Sequence, residues 1–465
     1  MHASKLLLCA AVGAGLSGCS PSPMSDGYWA PARPLGNTYE SYQPSIASDR
    51  GDDHPAVDPE GDLSLRDALA VALLGNPELA AWGFGVRAAG ARTLQAGLWP
   101  NPALGVELEN FAGSGGVSGT DSLETTLVLS QAFPLGGDVE RRRRLAALRG
   151  ELAGWDYEAA RITLMTEVTQ RFVEALAAQR QVSLAEQSLA LARQVFDSIR
   201  RRIEAGDAPD IERSRAAVPV ATAAIELKRA EHALEAARAR LALMWGASSP
   251  RFTRVVGDLD QVRPAPPAAA LVALVNQNPQ VARWAVEITA RQAQVKLAQA
   301  QAVPDLTASL GYRRLNESDD SALVAGISIP LPLFDRGQGD ILAARIDVAS
   351  ARRERRAAEL RVEAALAAVY GRLRSAHAEA IALRDDALPP AGEAYEAIRG
   401  AFEQGNLGFL DVLDAERTLI DLRRQHLAAL AAYHSAAAEV EGLIGQPLAE
   451  VGRQEPSQPL EDTNP

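Results

Sequence analysis

At 465 residues the chain is long enough for about three ordinary domains. Only 5% of it is aromatic, and alanine, leucine, arginine and glutamate dominate, which suits long helices packed through small side chains better than a thick core. The formal charge of −12 argues against nucleic acid as a partner, because binding phosphates needs a basic surface.

Residues 1–18 read as a signal peptide: Lys5, an apolar stretch from Leu6 to Leu16 too short to span a bilayer, then small residues. Its end, Leu16-Ser17-Gly18-Cys19, resembles a bacterial lipobox, which implies that Cys19 is lipidated and that Ser20 directs the product to the outer membrane. Cys9 would leave with the signal, so no internal disulfide is expected. Residues 19–62, rich in Pro, Ser, Gly and Asp, read as an extended arm.

From Leu63 onward the chain is written twice. Asn76-Pro77, Trp82 and Pro102 recur as Asn278-Pro279, Trp284 and Pro304, and Gly206 and Gly246 recur as Gly405 and Gly445. The copies occupy 63–246 and 267–446, joined by a proline-containing linker, 247–266, and followed by a tail, 447–465, expected to be disordered. In the first copy, helical spacing runs from Leu63 to Trp99 with a break at Asn76-Pro77. The period then changes from 3.6 to 2: Leu104, Val106 and Leu108, then Leu127 and Leu129 after a glycine-rich loop, mark a hairpin with one apolar face. Asp138 to Glu204 reads as one helix of about 100 Å, followed by a turn at Gly206-Asp207-Ala208-Pro209 and a return helix from Asp210 to Trp245 that Pro219 should kink. The second copy repeats the order: a hairpin through Leu306 to Tyr312 and Leu323 to Leu331, a helix from Asp340 to Leu388 interrupted at Pro389-Pro390, a turn at Gly405-Asn406, and a return helix ending at Ile444.

Strands of about ten residues with one apolar face are what a membrane barrel requires, and single-chain barrels begin at about eight strands. Four strands leave open edges that lipid cannot satisfy, so three chains donating four each would close a twelve-stranded barrel. The expected fold is therefore mainly α with a pair of β membrane hairpins. Glu107, Glu109 and Glu124 would line the barrel lumen, since glutamate facing hydrocarbon is costly. The basic run Arg141 to Arg144 suits a solvated helix face or lipid headgroups.

Val106-Glu107-Leu108-Glu109-Asn110-Phe111, the stretch from Ile329 to Gly339, and Asp411-Val412-Leu413-Asp414-Ala415-Glu416 resemble the TolC-type outer membrane factors. The resemblance is narrower still to the outer-membrane components of cobalt, zinc and cadmium efflux systems. It implies a homotrimer anchored in outer-membrane lipid, with a twelve-stranded β-barrel continued by a long α-helical barrel in the periplasm. It also implies a periplasmic adaptor and an inner-membrane RND pump as partners, with divalent heavy-metal cations as cargo. Asp411 and Asp414 match the aspartates that ring the narrow periplasmic end in such ducts, where acidic rings favour cations. Both also suit the first turn of a helix on electrostatic grounds alone. Gly206, Asp207 and Asp210, with Gly405, Asn406 and Leu407, would be the adaptor-facing tips.

No paired histidine spacing marks a metal site, no phosphate loop follows the glycine-rich stretch, and no nucleophile elbow appears. The expectation is a passive duct without cofactor or enzyme activity. The same fold could serve drug efflux or type I secretion, and a lipid-anchored coiled-coil scaffold without a pore is a further alternative.

Overall fold

The computed structural model describes residues 28–44 and 58–451; the signal peptide, Cys19, half of the arm and most of the tail expected from the sequence lie outside the described residues. In chain order the elements are β1 (Gly61–Ser64), α1 (Leu65–Gly75), α2 (Pro77–Ala96), β2 (Ala103–Glu109), β3 (Glu124–Phe133), α3 (Asp138–Glu204), α4 (Ile211–Ala242) and β4 (Phe252–Val256). The second copy follows with α5 (Ala268–Val272), α6 (Pro279–Ala282), α7 (Trp284–Gln301), β5 (Leu306–Leu315), β6 (Asp320–Ser328), α8 (Gln338–Ala382), α9 (Leu388–Glu403) and α10 (Phe409–Ile444). Helix α3 runs unbroken for 67 residues, as its periodicity predicts.

Local chemistry sets the helix starts. Ser64 caps α1 by accepting the Asp67 amide at 3.2 Å. Asn76 Oδ1 accepts the Leu79 amide at 2.8 Å where α2 begins, and Asn278 Oδ1 accepts the Gln280 amide at 2.8 Å in the second copy. In each case the following proline fills the first helical position, where no amide hydrogen is needed.

The described chain divides into two compact units. The first holds Gly85–Trp155 and Arg283–Arg356. Its centre is a four-stranded antiparallel sheet in the order β2-β3-β5-β6. Pairing of Val106 with Leu127, Leu127 with Tyr312 and Tyr312 with Leu323 puts these side chains on one face. The aliphatics of that face are open to the surroundings, Leu104 at 68% and Leu323 at 78% exposure. In the same unit Leu145, Leu148 and Leu152 of α3 pack on Ala290, Ala293 and Leu297 of α7.

The second unit holds Pro31–Phe84, Asp156–Ala282 and the described chain from Ala357 onward. One core joins Val362, Leu366, Val369 and Leu373 of α8 to Tyr433, Val440 and Ile444 of α10. Another joins Val195 and Ile199 of α3, Ala216 of α4, Tyr395 and Phe402 of α9, and Phe409, Val412 and Leu419 of α10.

Several expectations are corrected. Leu63 belongs to strand β1, not to a helix, and the linker contributes β4, which pairs with β1 in parallel through Leu63 and Val255. Ile329 and Leu331 lie beyond β6, which ends before Pro330, a residue without an amide to donate to a ladder. The long helix of the second copy is not broken by Pro389-Pro390. The regular ladder instead widens to a π-helical turn at Leu383–Ala387, and both prolines sit in the first turn of α9, where they cost little. Pro219 lies inside α4, the return helix it is expected to kink, and that expectation is not among those corrected.

The described part of the expected arm is fastened down. Glu158 and Arg161, both 2% exposed, form a bidentate pair at 2.7 and 2.9 Å. Glu158 also accepts the Arg33 amide at 2.7 Å, while Arg161 donates to the carbonyls of Leu35 and Gly36 at 3.1 and 3.2 Å. The Leu35 amide in turn donates to the Gly445 carbonyl at 2.9 Å. A buried pair of charges survives only when its remaining donors and acceptors are met, and here the backbone of the strap meets them.

Candidate functional site

Two sets of residues singled out by the sequence form distinct sites, one in each unit. In the second unit, α3 and α9 end in the same way. The Gly206 amide donates to Ile203 and the Asp207 amide to Arg202; the Gly405 amide donates to Phe402 and the Asn406 amide to Ala401. These paired bonds close a helix end through a left-handed residue, and φ is +83° at Gly206 and +79° at Gly405. The Arg202 guanidinium lies 5.2 Å from the centre of the Phe402 ring, so the two turns belong to one end of the same packed cluster.

Both signs of charge surround these turns, with Arg201 and Arg213 exposed beside Glu204 and Asp210. Asp207, Asp210, Asn406 and Leu407 are exposed, and Asp210 pairs with Arg213 at 3.0 Å. Asp411 and Asp414 are also exposed, one helical turn apart on α10. They are not equivalent. Asp411 Oδ2 accepts the Gly408 amide at 2.9 Å and so caps its own helix, whereas the Asp414 carboxylate has no hydrogen-bond or ion-pair partner among the described residues.

Two residues after Asp414, Glu416 points the other way. It is 6% exposed and lies on the apolar stripe Phe409, Val412, Leu419 and Ile420. Burial raises its carboxyl to about 7, against a small opposing pull from the Arg417 guanidinium. In the sequence Glu416 closes the stretch that begins at Asp411 without standing out from it; a carboxylate at an apolar-stripe position is the signal that marks it.

In the first unit the polar face of the sheet gathers charge at one end. Glu109 and Glu124 sit opposite each other across β2 and β3. Arg313 of β5 reaches both, at 3.0 and 2.9 Å, and donates from Nε to the Thr126 hydroxyl at 2.9 Å. Thr126 is 1% exposed, Asn110 adds a bond to Glu124 at 2.9 Å, and Glu107 stays exposed on the same face. Arg313 is the member that periodicity missed, because an arginine on a polar face looks the same whether it is solvated or shared by two carboxylates.

Among the described residues no cluster of three His, Cys, Asp or Glu side chains is disposed to hold a metal ion. Among them also, no single helix is long and apolar enough to cross a membrane.

With this geometry, residues 68–247 and 270–446 match the outer membrane efflux protein family, covering both copies of the repeat. The chain belongs to that family. It is 32% identical over 419 residues to the cobalt-zinc-cadmium resistance protein CzcC of Cupriavidus metallidurans, spanning 89% of this chain and 99% of that one. It is 29% identical over 314 residues to the nickel and cobalt resistance protein CnrC of the same organism, spanning 68% of this chain and 73% of that one. Among solved structures the CusC channel superposes with a TM-score of 0.70 at 17% identity over 92% of this chain and 98% of that one, which speaks to the fold alone. Outer membrane efflux proteins are channels, a non-enzymatic transport type, and extend from the outer membrane into the periplasm. They form trimers that work with an adaptor and an RND pump as the exit duct of a tripartite system. A four-stranded sheet whose outer strands are unpaired among the described residues is what one protomer of a twelve-stranded barrel must contribute, and the pore-less scaffold gives way to this assignment.

Proposed function

We propose that this efflux protein is the exit duct for divalent heavy-metal cations, handed to it by a periplasmic adaptor and an RND pump of a metal-resistance system. The observation that carries the reading is the 32% identity to a cobalt-zinc-cadmium resistance protein over 99% of that protein's length. In it the turns at Gly206, Asp207 and Asp210 and at Gly405, Asn406 and Leu407 receive the adaptor, and Asp411 and Asp414 of three protomers ring the periplasmic constriction. Glu107, Glu109 and Glu124 face the lumen of the barrel, where their charge attracts cations and that of Arg313 tempers it. Cys19 carries the lipid. The two copies, 63–246 and 267–446, act as matched halves of one protomer, each giving one hairpin and one tip.

A second reading keeps the duct and changes the cargo. It draws on 25% identity over 441 residues to a pyoverdine export outer membrane protein, OpmQ, of Pseudomonas aeruginosa. Deleting the gene separates the two: the metal reading expects lost tolerance to cobalt, zinc or cadmium that the intact gene restores. Unchanged metal tolerance with impaired export of an organic compound would replace it with the second.

A further inference from the structure

Glu416 is buried with no hydrogen-bond or ion-pair partner among the described residues. It lines a cavity of about 320 Å³ between α3, α4 and α10, whose wall also includes Leu184, Ala192, Pro219 and Ile420. Beside it on α9 stands Tyr395, 2% exposed, whose hydroxyl makes no well-formed hydrogen bond and whose ring Arg399 covers at 5.9 Å. The buried Tyr395 hydroxyl left without a partner costs stability, and the largely buried Glu416 side chain carries its carboxyl without one at the cavity wall. A carboxyl in such a place is tolerated mainly while it is neutral.

The charges around it do not remove that cost. On α10 itself Arg417 is the one cation that acts on Glu416 directly, while Arg424 is held by Asp421 at 3.2 Å. From α4 the facing charge is Glu226, paired with Arg229 at 2.6 Å. From α9 it is Tyr395 with Arg399, which is tied to Glu396 at 2.6 Å. Helix α3 offers the uncharged Gln181 and Ser188.

We propose that Glu416, with Tyr395, is a proton-operated latch: the neutral carboxyl keeps α10 seated against α3, α4 and α9, and loss of its proton to water loosens that seat. The first copy has Ala217 at the equivalent place, so only the second return helix carries the device. Burial lifts the carboxyl from 4.5 to about 7. A raised carboxyl contributes stability that is complete below its unburied value and lost as pH climbs to the buried one. The operating window is therefore about pH 4.5 to 7, the neutral form favouring the seated helix.

The inference concerns the packing of α10 and uses the duct reading only for its consequence. It is tested by hydrogen exchange on the full-length protein in detergent, following peptides from 405 to 424 from pH 5 to pH 8 after correction for intrinsic rates. Wild type is expected to lose protection there by on the order of tenfold between pH 5 and pH 7 and to level off above. Glu416→Gln and Glu416→Leu should both flatten that course. A flat course in wild type, or an unchanged one in both Glu416 variants, overturns the latch. If exchange follows the expected course while conductance in planar bilayers is absent, the latch stands and the duct reading falls.

Discussion

The Asn278 side-chain amide donates to the Leu443 carbonyl at 3.0 Å, and Asn76 makes the same contact with Met244 at 2.9 Å in the other copy. Each asparagine thus starts one helix with its oxygen and holds the end of the return helix with its nitrogen. Asn278 is 5% exposed, whereas Asn76 is half-buried. Asn278→Ala should cost about 2 kcal/mol and Asn76→Ala about 1 kcal/mol. Denaturant unfolding of the solubilised protein checks the order; equal effects would count against burial as the cause.

The strap over Glu158 and Arg161 should be more sensitive. Removing one partner leaves the other charged and buried, so Glu158→Ala or Arg161→Ala is expected to cost about 3 to 5 kcal/mol, while replacing both by apolar residues of similar volume should cost far less. Limited proteolysis near residues 31–44, together with melting temperature, reads the difference.

At the tips, Gly405→Ala forces a side chain into a left-handed conformation, since φ is +79° there. About 1 kcal/mol of helix-end stability should be lost. Gly405→Asn, which tolerates that region better, should recover part of it in the same melting assay.

The two aspartates of α10 should separate in their effects. Asp411→Asn removes charge and weakens a cap, so it should lower stability by about 1 kcal/mol as well as changing conduction. Asp414 has no partner to lose, and Asp414→Asn should change cation selectivity in planar bilayers at unchanged melting temperature. A fall in stability equal to that of Asp411→Asn would show that Asp414 is structural.

Arg313→Ala leaves Glu109 and Glu124 facing each other without their shared cation. The expected result is stronger preference for cations over anions in reversal-potential measurements. No change would mean that this end of the sheet does not face the conduction path.

Much of the architecture is legible in the sequence because it is periodic. Alternation at Leu104, Val106 and Leu108 marks a strand, and 67 residues of α3 without proline mark a helix. What escapes is non-local or irregular. The pairing of Leu63 with Val255 joins short strands far apart in the chain, and neither strand is long enough to display a period. The π-helical turn at Leu383–Ala387 has no pattern of its own, and the nearby prolines drew attention to the wrong residues. Within the sites, Asp411 and Asp414 follow from a motif, but the difference between them depends on a bond to Gly408 that only coordinates reveal. Arg313 is decided by register across three strands.

Among the described residues, strands β2 and β6 have no neighbour on their outer sides. Hydrocarbon offers those backbone groups nothing, so a lone protomer cannot hold its sheet in the bilayer, and insertion must accompany or follow association. The closed barrel is then a third-order product of protomer supply. Its abundance falls more steeply than expression when synthesis is reduced, and its stability cannot be separated from protomer concentration.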